Sequence, residues 1–195
     1  VAVSPDQYYD QVEIEGFERP IYIMSSRVAA VVGKSEHKII NTVIGEHLVG
    51  LAYKPLFQHN QHNENCFKIY AADFIDTETG TGLVHMAPAF GEDDYQLSQL
   101  NDIQPIFCHI TDQGTFDETF SDYTGTYFKD ADKVIIKRLK TEGRVLAHQT
   151  IEHNYPFCPR SDTPLIYKAI PSWFIAVTKI TERLQAANQK IHWVP

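Results

Sequence analysis

The sequence has no run of about 18 apolar residues, which excludes a single membrane-crossing helix of ordinary length. Its first residues, Val1-Ala2-Val3-Ser4-Pro5, lack the basic flank and apolar stretch of a secretory leader. Cysteine is scarce as well. Cys66, Cys108 and Cys158 are three in number and widely spaced, which excludes the paired framework of a small secreted fold and predicts reduced thiols in a cytoplasmic protein. Basic charge is in deficit: 17 Lys and Arg against 25 Asp and Glu leave a net charge of -8. That balance excludes a broad phosphate-binding face, so any nucleic acid is expected to be held locally. Val1 is not an initiator methionine, and Pro195 follows His192-Trp193-Val194 with no polar tail; both ends are expected to be cut from a longer chain. At 195 residues the chain is long enough to bury a core, as one domain or one domain with a small appendage.

What is present is β-prone in its first part. Tyr8 to Ile14, Ile21 to Met24, Ala29 to Val32, Thr42 to Tyr53 and Phe67 to Phe74 are rich in Val, Ile, Tyr and Phe and separated by turn residues. They predict strands of a barrel or compact sheet, with no helix before about residue 90. Gly45 and Gly50 inside the fourth of these suit a bend or bulge. From Glu92 the period changes. Tyr95, Leu97 and Leu100 predict a short helix whose first turn holds Glu92, Asp93 and Asp94, acids favoured there by the helix dipole and the free N-H groups. Asp130 to Gly143 predicts a second helix, with Ala131, Val134, Ile135 and Leu139 as its stripe and Gly143 as its stop. Strands are expected at Val145 to Ile151, Pro164 to Ile170 and Ser172 to Val177, and a last helix at Thr181 to Gln189.

Several chemical patterns fail on spacing. Gly33-Lys34-Ser35 would close a phosphate-binding loop only with a glycine where Val28 stands. His59, His62 and Cys66 lack an evident fourth ligand and sit among Asn60, Gln61, Asn63 and Asn65, so a polar loop is expected and no metal. Cys158-Pro159-Arg160-Ser161 is half of a zinc knuckle, with Ser161 a poor ligand. Cys108 and His109 are neighbours, and on a strand they point to opposite faces, which separates a nucleophile from its base. The remaining constellation is Gly80-Thr81-Gly82-Leu83-Val84-His85-Met86-Ala87-Pro88-Ala89-Phe90-Gly91-Glu92-Asp93-Asp94-Tyr95. Its bland reading is a tight turn followed by an acidic helix start. Its functional reading is a loop that brings His85 and Asp94, nine positions apart, to one cavity.

This run resembles the G-T-G-x-V-H-x-A-P-x-x-G-x-D-D-Y pattern of the editing insertion, connective peptide 1, of isoleucyl-tRNA synthetases, which are class I aminoacyl-tRNA synthetases. Leu48-Val49-Gly50-Leu51-Ala52-Tyr53-Lys54-Pro55-Leu56-Phe57 is similar to the family's strand upstream of that pattern. Tyr155 through Phe174, with Cys158-Pro159-Arg160-Ser161-Asp162-Thr163-Pro164, is similar to the strand pair that returns to the synthetic core. The resemblance implies an α+β fold, a β-rich, barrel-like editing domain with a few peripheral helices, with its core over residues 1–155 and return strands and linker over 156–195. It implies an ester hydrolase that removes valine from mischarged tRNA(Ile), a task that exists because a hydrophobic pocket separates isoleucine from valine only about 150-fold, the standard example for this enzyme.

Carried over by position, Asp94 matches the aspartate that binds the α-ammonium of the misattached amino acid. A carboxylate can hold that ammonium by a charge-assisted hydrogen bond and so fix the ester; at an ordinary aspartate pKa of about 3.9 it is an anchor rather than a general base. His85 matches the residue against which the amino-acid side chain packs. Met86, Ala87 and Pro88 form the adjoining wall, Phe90, Asp93 and Tyr95 complete the substrate-binding set, and Gly91 lets the backbone turn close to substrate. The resemblance further implies no cofactor in this segment, ATP and Mg belonging to the synthetic domain of the family's polypeptide. The implied partners are the CCA end of tRNA(Ile) carrying valine and the remaining domains of the same synthetase, with no membrane and a monomeric state. The family's threonine-rich segment, W-T-T-T-P-W-T-L-P, lies upstream of residue 1 and lines the same pocket. Two other readings stand beside this one: a non-catalytic module that binds the tRNA 3' end, and the equivalent domain of the valyl or leucyl enzymes.

Overall fold

Tyr8–Ile14 alternates as a half-buried strand should: Tyr9, Val12 and Ile14 are buried while Tyr8 and Glu13 face outward. In the computed structural model, which describes residues 1–57 and 63–194, this segment is the central strand, β2, of a three-stranded antiparallel sheet. It lies between β3 (Ile21–Met24) and β4 (His37–Ile44). Tyr9 pairs with Met24 and Val12 with Ile21 on one side; on the other, Tyr8 pairs with Ile44, with a bulge at Gln11/Val12. The one buried acid of this sheet, Asp10, accepts hydrogen bonds from Ser25 Oγ at 2.8 Å and Thr42 Oγ1 at 2.6 Å. Both bonds go to Oδ1, and they tie β2 to β4 and to the residue that follows β3.

A second sheet is built from very short pieces. β1 (Ala2–Val3) lies between β5 (Tyr70–Ala71), parallel to it, and β6 (Leu83–Val84), antiparallel to it. The larger core cluster joins both sheets, with Ala2 and Val3 from one, Tyr9 and Met24 from the other, and Leu48, Ile69, Ile75 and Leu97 filling between. Each large aliphatic side chain buried there contributes about 1.5–3 kcal/mol. A smaller cluster of Val12, Ile14, Ile23, Val28 and Val32 covers the far end of the antiparallel sheet.

Among the described residues there are four α-helices: α1 (Val28–Val32), α2 (Glu92–Leu100), α3 (Phe128–Thr141) and α4 (Thr181–Asn188). α3 docks through Ala131, which is fully buried, and through Arg138. The guanidinium of Arg138 lies over the Phe57 ring and pairs with Asp122 at 2.5 Å and Glu142 at 2.8 Å. Phe116, Phe120 and Tyr123 stack beneath it. No helix among the described residues is long and apolar enough to cross a membrane.

The α+β class and the few helices agree with the sequence reading, as do β2, β3, α2, α3 and α4. The two sheets remain separate, and among the described residues no closed barrel forms. Four local expectations are corrected. Ala29 to Val32 is part of helix α1, not a strand, and it lies well before residue 90. The strand expected from Thr42 to Tyr53 ends at Ile44, because Gly45 enters a 3-10 turn, Gly45–Leu48. Only Tyr70–Ala71 of Phe67 to Phe74 pairs as a strand. The segments 145–151, 164–170 and 172–177 form no ladder; the single pairing there is an isolated bridge between Phe157 and Pro164. Their β-prone residues find no sheet edge, and Tyr167, Ile170, Trp173 and Phe174 stand exposed.

Candidate functional site

The Gly80-Thr81-Gly82 turn is bound by its carbonyl groups to the antiparallel sheet. The Arg27 Nε-H donates to Gly80 O at 3.3 Å, the Met24 N-H to Thr81 O at 2.8 Å, and the buried Tyr9 hydroxyl to Gly82 O at 2.9 Å. Gly82 has φ +74°, and a Cβ there would lie 2.5 Å from Met24 Cβ. The second glycine of the motif is thus required by both backbone and space. With the turn fixed, β6 enters the small sheet beside β1, and the chain emerges from it at His85, close to Val1.

After His85 the chain packs Met86 against the larger core and makes a tight turn in which the Phe90 N-H donates to Ala87 O at 2.8 Å. Gly91 then serves as N-cap of α2, and the Tyr95 N-H closes the first helical bond to Gly91 O at 2.9 Å. Leu97 and the fully buried Ser98 anchor the helix from below. Successive residues of a helix point about 100° apart, and the first turn of α2 uses this. Asp93 faces a shallow groove of about 430 Å³ with Asp73, Phe74 and Leu100. Asp94 faces His85 and the Val1 amine, whose proton affinities it raises. Tyr95 turns to a third surface.

That third surface is a groove of about 610 Å³, lined on one side by Pro88, Phe90, Gly91 and Tyr95, and on the other by the return segment from Tyr167 to Phe174. The Ala169 N-H donates to Ala89 O at 2.8 Å and holds the walls together. Lys168 is fastened at the groove by Asp112, Nζ to Oδ1 at 2.8 Å. The residues singled out from the sequence therefore fall on three faces. His85 and Asp94 share one corner; Pro88, Phe90, Gly91 and Tyr95 share the groove; Asp93 stands apart, Met86 turns to the core, and Ala87 forms the tight turn. The far wall of the groove, with Ile106 and Cys108 at its base, was not foreseen. Its sequence signals are an apolar run that reads as strand and the resemblance of Tyr155 through Phe174 to a returning strand pair, neither of which places it against Phe90 and Tyr95.

The electrostatics of the corner follow from burial and from Asp94. Burial lowers the Val1 ammonium from 8.0 to about 6, against the pull of Asp94. His85 is exposed at its surface side, yet loss of water on the side packed against the protein, then repulsion from the Val1 ammonium, lowers it below the ordinary imidazole value, and Asp94 opposes both. His85 is accordingly neutral at pH 7, while Asp94 is the source of a field that favours cations. No described residue donates a hydrogen bond to its carboxylate.

The metal reading of His59, His62 and Cys66 falls partly outside the described residues, where His59 and His62 lie. Cys66 Sγ is directed at Asn63 Oδ1 and Gln104 O, and among the described residues no group of three or more His, Cys, Asp or Glu is placed to hold an ion. All three cysteines are free.

No protein-family model matches the chain. Among solved structures it is similar to GlLeuRS-CP1, the CP1 domain of a leucyl-tRNA synthetase, with a TM-score of 0.57 and 15% identity over 77% of this chain and 78% of that one. At that identity the likeness shows the fold alone, that of this CP1 domain. Among curated proteins it is 48% identical over 162 residues to the isoleucine-tRNA ligase of Chlamydia pneumoniae, covering 82% of this chain and 15% of the ligase. It is 42% identical over 203 residues to that of Corynebacterium efficiens, covering 100% of this chain and 19% of the ligase. The chain is homologous to part of the isoleucine-tRNA ligases. It spans less than a fifth of the length of these relatives.

Proposed function

We propose that this chain is the editing module of an isoleucyl-tRNA synthetase and hydrolyses the ester of valine wrongly attached to tRNA(Ile). The observation that carries this reading is the corner formed by Asp94 and His85. An aminoacyl ester presents a free α-ammonium next to its carbonyl, and the Asp94 carboxylate, with no donor from the described residues, is available to accept from it. The same carboxylate favours the protonated form of the neighbouring His85, so its field has the sign such a ligand needs.

Asp94 holds the ammonium and thereby orients the ester; water adds to the carbonyl carbon, the bond to the ribose oxygen breaks, and valine and a free 3' end leave. His85, neutral, offers the amino-acid side chain a surface without charge, where an isopropyl group fits and a longer one is turned away. Pro88, Phe90, Gly91 and Tyr95 line the adjacent groove, which we assign to the terminal nucleotide, since single-stranded ends bind by stacking and local contact more than by a basic face. That division suits a chain of net charge -8. The reading keeps the cytoplasmic location expected from the sequence, needs no cofactor in this segment, and makes the rest of the synthetase polypeptide the partner that delivers the substrate.

The test is deacylation of valyl-tRNA(Ile), measured on the chain alone and in a synthetase that carries the threonine-rich segment. Asp94→Ala is expected to lower the rate by about 100-fold, as loss of orientation at a reacting ester does, while isoleucyl-tRNA(Ile) is spared throughout. Equal hydrolysis by the Asp94→Ala variant in both settings would remove Asp94 from the reaction and overturn the reading.

A further inference from the structure

Helix N-caps favour Ser, Thr, Asp and Asn, whose side chains accept a bond from a free N-H of the first turn. α2 has Gly91 there, and no side chain caps it. The backbone does not ask for glycine: at φ -137° and ψ 142° Gly91 is extended, a conformation open to any residue. Space asks for it. A Cβ on Gly91 would lie 2.2 Å from Asp94 Oδ2, 2.9 Å from Asp94 Cγ and 3.4 Å from Asp94 Cβ, and these are its three nearest atoms. The volume that a cap residue would fill is filled by the Asp94 carboxylate, folded back over the start of its own helix.

We propose that Gly91 is a positioning residue: its missing side chain makes the pocket in which the Asp94 carboxylate is held toward His85, and the helix forgoes a cap to keep that pocket open. This rests on the role given to Asp94 above. Any side chain at position 91 drives the Asp94 carboxylate out of this place, because the three nearest atoms all belong to that one side chain and it must turn about χ1 to make room. The carboxylate then leaves the corner and the ammonium loses its anchor, although Asp94 and His85 are both still present.

A residue kept only for folding and a residue kept for positioning behave differently under substitution. Gly91→Ala and Gly91→Ser are the two variants, Ser because it can cap the helix. Both are expected to fold, with the thermal midpoint of Gly91→Ser equal to or above that of the parent. Both are expected to lower deacylation of valyl-tRNA(Ile) on the order of 10- to 100-fold, and to lower it no further when Asp94 is already Ala. A readout independent of activity is the NMR titration of His85. Asp94 raises the proton affinity of that ring, so displacing the carboxylate moves the His85 titration to lower pH, in the direction produced by Asp94→Asn.

An unchanged His85 titration in Gly91→Ala, or a loss of deacylation that multiplies with that of Asp94→Ala, overturns the proposal. A shifted His85 titration with deacylation untouched by Gly91→Ala and by Asp94→Ala alike leaves the geometry standing but overturns the role of Asp94, and with it the functional meaning given to Gly91.

Discussion

Gly80 and Gly82 flank one threonine and both lie on the left-handed side, at φ +60° and +74°, yet their surroundings differ. A Cβ on Gly80 meets nothing within 4 Å; one on Gly82 lies 2.5 Å from Met24 Cβ and 2.7 Å from Met24 Cε. Alanine at either position incurs the left-handed penalty of about 1–2 kcal/mol. At Gly82 it also overlaps a side chain that is buried in the core and whose own N-H is bonded to Thr81 O at 2.8 Å, and overpacking of that kind costs about 1–3 kcal/mol more. Gly80→Ala is therefore expected to lose about 1–2 kcal/mol and Gly82→Ala about 2–5 kcal/mol. Urea unfolding of the two variants beside the parent measures the difference. With a slope of about 1–3 kcal/mol per molar urea, the Gly82→Ala midpoint falls by roughly 1 M or more, and visibly further than that of Gly80→Ala. Equal losses at the two glycines would refute the argument, since backbone conformation alone would then account for both.

Two further outcomes are expected. The Val1 amine, held at about 6 against an ordinary 8.0, and His85, lowered as well, bind protons less well in the folded chain than in the unfolded one. Stability should accordingly rise with pH across the window from about 6 to 8 and fall on acidification through it. Urea midpoints across that window, with and without acetylation of the Val1 amine, check this, and a flat or falling profile contradicts it. Among the thiols, hydrogen bonds from Ser161 and nearby backbone lower Cys158, whereas burial raises Cys66; alkylation followed by peptide mass mapping should label Cys158 before Cys66, and the reverse order would count against these environments.

The elements legible in the sequence are those whose pattern is local. β2 announces itself by alternation, α3 by its stripe and its glycine stop, and α2 by three acids in its first turn. Ala29 to Val32 reads as a strand because four alanine and valine residues carry no usable period, and only the packing of Val28 and Val32 into the smaller core selects the helix. The strand at Thr42 ended early for a tertiary reason: a Cβ on Gly45 would lie 2.0 Å from Ser4 O, so another part of the chain crosses where the strand would have continued. The return segment is apolar enough for strands but meets no edge to pair with, and that too is decided at a distance. Within the candidate site, the partnership of His85 and Asp94 was visible as a spacing across a proline-glycine loop. The separation of Asp93 from it was not, because adjacent acids look equivalent in a sequence and differ only once the helix has assigned each a direction.

That assignment gives α2 a reading frame. Its first turn divides three consecutive residues among three surfaces, and the division depends on where the helix starts, not on which acids it contains. A chain with one uncharged residue inserted inside that turn would keep every one of its present side chains and the same charge. It would nonetheless swing each side chain by about a quarter turn, pointing a different residue at His85 and presenting another to the groove. Substitutions at these positions are thus edits to single letters, whereas insertions are shifts of phase, and the tight turn from Ala87 to Phe90 is the element that keeps the count.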